Sequence, residues 1–261
     1  VIEFHEATVV APTQTGDLTI LHPVSLTFTE PKISIIGGNG SGKSTLARLI
    51  NGLIEPTTGH VSITPQNPVT ESAAGATGAV GAAGATATPA SAPTSSSPAL
   101  DTAHDGHAVR RTVGFVFTDP AAQMIMPTVI EDVELSLRRT HRKKPERRAA
   151  ALSALDRFGL AHLADHSVHA LSGGQRQLLA IASVLATEPS ILVADEPTTL
   201  LDLKNARRIG DLLIGLPQQT VIVTHDLELA ARADRTVVIA DGRVAFDGAP
   251  AAAIAWYRAH A

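Results

Sequence analysis

Apolar residues gather in short runs at 33–36, 111–117, 191–194, 220–223 and 235–240. The runs are rich in Ile and Val and predict strands, the one at 191–194 of the type buried on both faces. Between them the apolar spacing changes to three and four residues, which predicts helices over 45–51, 145–158 and 175–186. Pro145 sits in the first helical turn, where its missing N–H is not needed, and Pro189 follows the third helix. Buried strands alternating with helices define an α/β fold with a mostly parallel sheet covered on both faces. The first thirty residues read differently: short runs at 8–10, 18–21 and 25–29 predict antiparallel strands, and 60–64 predicts another.

One segment breaks the pattern. Residues 72–100 are almost all Ala, Gly, Thr, Ser and Pro and carry no charge. With its polar flanks the stretch 65–108 reads as a flexible insert, because it has too few side chains to bury against the entropy of ordering. It lies between two predicted strands, so it is an expanded connection inside one unit spanning 1–261. No internal repeat is present.

Composition narrows the classes. The chain has 261 residues, 44% hydrophobic and 18% charged, with 21 basic against 25 acidic side chains. A net charge of −4 argues against nucleic-acid binding by bulk charge. The absence of cysteine excludes disulfides and thiolate chemistry. No apolar run approaches the ~20 residues that cross a bilayer, and residues 1–6 lack the basic start of a secretory signal. The expectation is a cytosolic protein that reaches any membrane through a partner.

The chemistry starts at the end of the 33–36 strand. Gly37-Gly38-Asn39-Gly40-Ser41-Gly42-Lys43-Ser44-Thr45 fits the GxxxxGK[ST] pattern between a strand and a helix. Glycines let successive backbone N–H groups turn around an anion, and the helix start adds partial positive charge. Lys43 is placed to reach the outer phosphates, and the Ser44 hydroxyl to bind Mg²⁺. The buried run 191–194 ends in Asp195-Glu196-Pro197. Ligands of parallel α/β sheets gather at such carboxyl ends, so Asp195 is a candidate to hold Mg²⁺. Glu196 is a candidate to polarise an attacking water.

Leu171-Ser172-Gly173-Gly174-Gln175 precedes an apolar helix, Thr198-Thr199-Leu200-Leu201-Asp202 follows the two acids, and Thr224-His225-Asp226 ends the 220–223 strand. In this order the motifs resemble the nucleotide-binding subunits of ABC transporters over nearly the whole chain apart from the insert. The resemblance implies a P-loop ABC ATPase fold: a mostly parallel core sheet, an N-terminal antiparallel β subdomain and a helical signature subdomain over 119–175. It implies ATP and Mg²⁺ as ligands and a head-to-tail dimer. In that dimer each ATP lies on one subunit's phosphate loop and under Ser172, Gly173, Gly174 and Gln175 of the other. Asp202 corresponds to an Asp that signals across the dimer. His225 corresponds to a switch histidine that contacts the terminal phosphate and helps hold the water and Glu196.

Two positions depart from the family pattern. Thr118, in Phe117-Thr118-Asp119-Pro120, stands where members usually carry a Gln that contacts Mg²⁺ and the water. The shorter side chain is expected to weaken sensing of the terminal phosphate while leaving binding intact. Near Ala11, where members commonly stack the adenine on an aromatic ring, Val9-Val10-Ala11-Pro12 offers none. The stretch 119–133, with Asp119-Pro120-Ala121-Ala122-Gln123 and Pro127-Thr128-Val129-Ile130-Glu131-Asp132-Val133, resembles the ATPases of energy-coupling factor importers. There it implies a groove for a transmembrane coupling protein, with Met124, Ile125 and Met126 as adaptable contacts, and the 118–120 variant suits the biotin-type branch. A peripheral subunit at the cytoplasmic face of the cell membrane follows, with integral coupling and substrate-binding proteins as partners. Because Glu196, Ser172 and His225 are all present, one chain can build both sites of a homodimer. The alternative is a soluble ABC ATPase in assembly or nucleic-acid-linked work, against which stand the negative charge and the lack of tandem cassettes. A GTPase switch lacks its Asn-Lys-x-Asp readout and leaves 171–175 unexplained. The basic residues over 138–148 read as a solvated helix face, and His162, His166 and His169 lack an acid to complete a metal site.

Overall fold

The computed structural model describes residues 1–14, 16–65 and 98–260. The chain opens with two long strands, β1 (Ile2–Thr13) and β2 (Gly16–Phe28), paired antiparallel with register shifts near Ala7 and Val9. The three short strands expected here are two bent ones; the bulges that bend β1 interrupt the sequence alternation. Next come β3 (Lys32–Ile36), α1 (Lys43–Ile50) and β4 (Thr58–Ile63).

Of the insert expected at 65–108, residues 66–97 lie outside the described residues. The remainder corrects the expectation: Leu100–Asp101 forms β5 and pairs antiparallel with β4, Ile63 opposite Leu100. Gly106–Thr112 then forms α2, so the strand expected at 111–117 is the shorter β6 (Val113–Val116). Thr102 N–H donates to the Val61 carbonyl at 2.9 Å and Asp105 accepts from Asp101 N–H, which ties this return path to the sheet.

The chain continues through α3 (Val129–Ser136), α4 (Lys144–Arg157), α5 (Gly173–Leu185), β7 (Ile191–Asp195), α6 (Leu203–Gly215) and β8 (Gln219–Val223). It ends with α7 (Leu227–Ala230), β9 (Arg235–Ala240), β10 (Arg243–Gly248) and α8 (Pro250–His260). The antiparallel sheet has the order β2-β1-β4-β5, and a six-stranded sheet has the order β10-β9-β3-β8-β7-β6. In the second sheet only the edge strand β10 runs antiparallel to its neighbour.

Alternation along the central strands sorts the core. Val193, Val221 and Val223 face the cluster of α1 and the antiparallel sheet, with Leu46, Leu49, Phe4 and Phe28. Leu192, Ala194 and Ile222 face the opposite cluster, with residues of α3, α4, α5 and α6. Burying each such Leu, Ile or Phe stabilises the fold by about 1.5–3 kcal/mol. A small third cluster joins Ile36 and Val238 to Ala230 and to Ala253 and Ile254 of α8. The parallel strands β3, β7 and β8 therefore deliver residues 37, 196 and 224 to one edge of the sheet, where the loops bearing the candidate chemistry meet.

Candidate nucleotide site

The loop 37–42 leaves β3 in a conformation that its glycines permit. Gly37 has φ +150°, and a Cβ there would fall 2.1 Å from the Ile239 carbonyl oxygen of β9. Gly42, at φ +103°, is the left-handed residue that starts α1. Lys43, the first helical residue, is buried and donates from Nζ to the Gly38 carbonyl at 2.8 Å, so it lies over its own loop. Burial lowers its pKa, opposed by the charges of Glu196 and Asp195. The Ser41 hydroxyl is buried and has no hydrogen-bond partner among the described residues. Thr45 follows Ser44 in the first turn of α1.

Strand β7 brings the acids to this loop. Asp195, 1% exposed, accepts a hydrogen bond from the Ser44 hydroxyl at 2.8 Å through Oδ1. Its Oδ2 is buried without a hydrogen-bond partner and lies 3.8 Å from the Arg48 guanidinium. Burial raises the Asp195 pKa, and the Ser44 bond, Arg48 and Lys43 only oppose it. The orphaned oxygen beside a hydroxyl is a hard-oxygen donor set that fits Mg²⁺.

Glu196 takes a left-handed backbone conformation, φ +51°, fixed by its N–H bond to the Val223 carbonyl at 2.9 Å. Its Oε2 accepts from the Thr199 hydroxyl at 3.0 Å and from the His225 N–H at 3.3 Å. The same oxygen lies 2.8 Å from His225 Nδ1. This bonding turns His225 Nε2 free of the carboxylate. Glu196, Thr199 and His225 open, with Gly37, Gly38, Asn39 and Thr118, on a cavity of about 630 Å³. Tyr257 of α8 lines it as well, and no motif points to Thr199 or Tyr257 as cavity residues. Thr199 lies within the 198–202 motif that ends at Asp202. Tyr257 reaches the cavity only through the docking of α8 on β9 and β10, which no local pattern encodes.

Residues 172–175 and Asp202 do not line this cavity. Ser172 caps α5: its Oγ accepts from Gln175 N–H at 3.3 Å while Gln175 Oε1 accepts from Ser172 N–H at 2.8 Å. Gly174 is packed so closely that a Cβ would fall 2.7 Å from the Asn205 side chain. Asn205 in turn donates to Asp202 from its side chain at 2.7 Å and from its backbone at 2.9 Å, bonds that lower the Asp202 pKa. The signature turn and Asp202 thus form one block that exposes Ser172, Gly173 and Asp202, flanked by Leu200 and Leu203, which are 64% and 66% exposed.

Next to the cavity, Gln123 reaches back to β6, accepting from Phe117 N–H at 2.9 Å and donating to the Phe115 carbonyl at 3.1 Å, which closes the loop carrying Thr118. Buried Asp132 accepts from the N–H groups of Ile125 and Met126 and leaves Ile125 74% exposed. Val9, Val10 and Ala11 pair with Leu21, Thr19 and Leu18 across the β1–β2 hairpin. The basic residues near 143–148 meet Glu146 and Asp165. No group of three or more His, Asp or Glu able to hold a metal occurs among the described residues.

A phosphate-type loop, a half-buried Ser bonded to a buried Asp, and a Glu–His pair at one edge of a parallel sheet define a nucleoside-triphosphatase. Residues 21–199 match the ABC transporter family, and the chain belongs to it as its ATP-binding, ATP-hydrolysing subunit. Biotin transport ATP-binding protein BioM of Rhizobium etli is 41% identical over 243 residues, 93% of each chain. The structure of cbiO1 from Clostridium perfringens, part of the ABC transporter complex cbiONQ, has a TM-score of 0.72 at 28% identity over 98% of this chain and 90% of that one. The dimeric ATP-binding cassette MJ0796 in a post-hydrolysis state bound to ADP and Pi has a TM-score of 0.74 at 30% identity over 96% and 99%. No described helix is long and apolar enough to cross a membrane.

Proposed function

We propose that two copies of this chain close head to tail on two Mg²⁺–ATP and drive an importer of the energy-coupling factor type, with a biotin-type vitamin as its solute. The Glu196–His225 contact at 2.8 Å, opening on the phosphate-loop cavity, carries the hydrolytic part of this reading. Residues 37–45 hold the phosphates, with Lys43 leaving Gly38 for the outer oxygens. Ser44 and Asp195 hold the ion, which neutralises charge on the phosphate oxygens when bound. Glu196 accepts a proton from water as its oxygen attacks the terminal phosphorus; the bond to the bridging oxygen breaks, and ADP and phosphate leave. His225 orients Glu196 through Nδ1 and offers Nε2 to the terminal phosphate.

The other half of the site comes from the second copy. In support, Ser172 and Gly173 at the helix-capping turn are exposed, away from their own chain's cavity, and the turn is backed by Asp202 through Asn205. The α5 start offers N–H groups to an anion. The exposed Ile125 between Met124 and Met126 supports a membrane-embedded coupling protein as partner, at the cytoplasmic face. The biotin assignment draws on the likeness to BioM, and a metal ion as solute draws on the cobalt-type side of the same resemblance.

The test is Glu196→Gln. It should lower turnover by about 10²–10⁴-fold and, with Mg²⁺–ATP, run as a dimer in light scattering. A variant that stays monomeric and binds no nucleotide refutes the reading. Co-purification from membranes with ribosomes alone refutes the importer assignment.

A further inference from the structure

Tyr257 is the only tyrosine of the chain. It stands one turn from the end of α8, half-buried, and lines the same cavity as Glu196, Thr199, His225 and the 37–39 loop. Its ring packs against the third cluster, in which α8 meets Ile36, the last residue before the phosphate loop, and Ala230, in the helix that follows His225. Helix α8 itself docks on β9 and β10, and through this shared cluster the ring sits beside the elements that carry the loop and the histidine. Its hydroxyl has no hydrogen-bond partner among the described residues and is not among the buried unpartnered polar atoms, so it is open to a ligand.

Among the other lining side chains, Asn39 and the Nε2 of His225 also carry donors. Thr199 is spent on Glu196 and one His225 nitrogen faces the same carboxylate. Thr118 is short. We infer that the Tyr257 hydroxyl donates a hydrogen bond to the terminal phosphoryl group of the bound nucleotide, which makes Tyr257 a further substrate-contacting residue. A donor fixed by a packed ring costs no reorganisation as negative charge grows on the phosphoryl oxygens, so its effect falls on turnover more than on binding. This inference rests on the nucleotide reading above.

The experiment uses the full-length chain with Mg²⁺–ATP, comparing wild type, Tyr257→Phe, Tyr257→Ala and Glu196→Gln. Tyr257→Phe keeps the ring and its packing and removes only the hydroxyl. The expected result is a kcat about tenfold lower with KM changed less than about threefold and an unchanged melting temperature without nucleotide. Tyr257→Ala should lose turnover and also melt earlier. Wild-type kcat in Tyr257→Phe overturns the inference while leaving the nucleotide reading intact. A fall in kcat matched by a fall in melting temperature assigns the residue to packing and overturns it too. A wild-type chain without turnover that also fails to bind nucleotide refutes the nucleotide reading, and this inference with it.

Discussion

Ser172 has two separable jobs in the proposed dimer, and a pair of substitutions tells them apart. In the single chain it is the N-cap of α5, accepting from Gln175 N–H at 3.3 Å within a capping box. Ser172→Ala removes this acceptor and leaves the reciprocal bond from Ser172 N–H to Gln175 in place. Loss of such a cap costs about 1 kcal/mol, or about 2–4 °C in melting temperature for a domain of this size. Against a stability of about 5–15 kcal/mol, that loss leaves the protein folded at 25 °C. Cap loss alone therefore changes turnover by almost nothing. Ser172→Asp retains the cap and adds a carboxylate that suits a helix N-terminus. In the dimer the new charge would face the triphosphate on the opposite copy. Unit charges about 4 Å apart at an effective dielectric near 20 repel by about 4 kcal/mol, close to a thousandfold in rate. Calorimetry and a phosphate-release assay read the two effects. The expected outcome is a Ser172→Asp protein as stable as wild type with turnover at least about a hundredfold lower. Undiminished hydrolysis in that variant would refute the placement of residues 172–175 over the partner's nucleotide.

Two further outcomes follow from the same geometry. Gly37→Ala should abolish nucleotide binding in an equilibrium assay and lower the melting temperature, because the added methyl group meets the Ile239 carbonyl and the backbone sits at φ +150°. The pH dependence of the nucleotide-free protein should show the lowered pKa of Lys43. The folded state releases this proton before the unfolded chain does, so stability rises with pH between the lowered value and 10.5, while ATP affinity falls as Lys43 loses its charge. Lys43→Met should remove the affinity slope and leave the part of the stability slope due to Lys32, whose pKa burial also lowers.

Most of this site was legible in the sequence because its residues are contiguous motifs tied to strand ends. Residues 37–45 and 195–196 stand where the pattern of buried runs puts them. Ser44 and Asp195 meet because β3 and β7 both flank β8, a neighbourhood the resemblance supplied and the strand pattern did not. Elements with a weak pattern were missed. In α2 only Val109 is buried, so no periodicity marks it. The edge strand β10 is mostly half-exposed, although the Asp241-Gly242 turn before it, with both residues at positive φ, is a readable hairpin signal. Helix α6 was readable too, from Asp202 as its cap and from Ile209 and Leu213 four residues apart. Tyr257 carries no motif and packs in a terminal helix; that the helix docks beside the phosphate loop is a tertiary fact.

The pairing of Ile63 with Leu100 gives the chain a natural port. The backbone departs from β4 and comes back alongside it, so everything between those two residues is spanned by a closed rung of the ladder. Closing a longer or shorter excursion changes the free energy only logarithmically with length. Chain length added between Ile63 and Leu100 should therefore leave the catalytic edge of this ATPase unchanged, which makes the rung a place to graft a reporter.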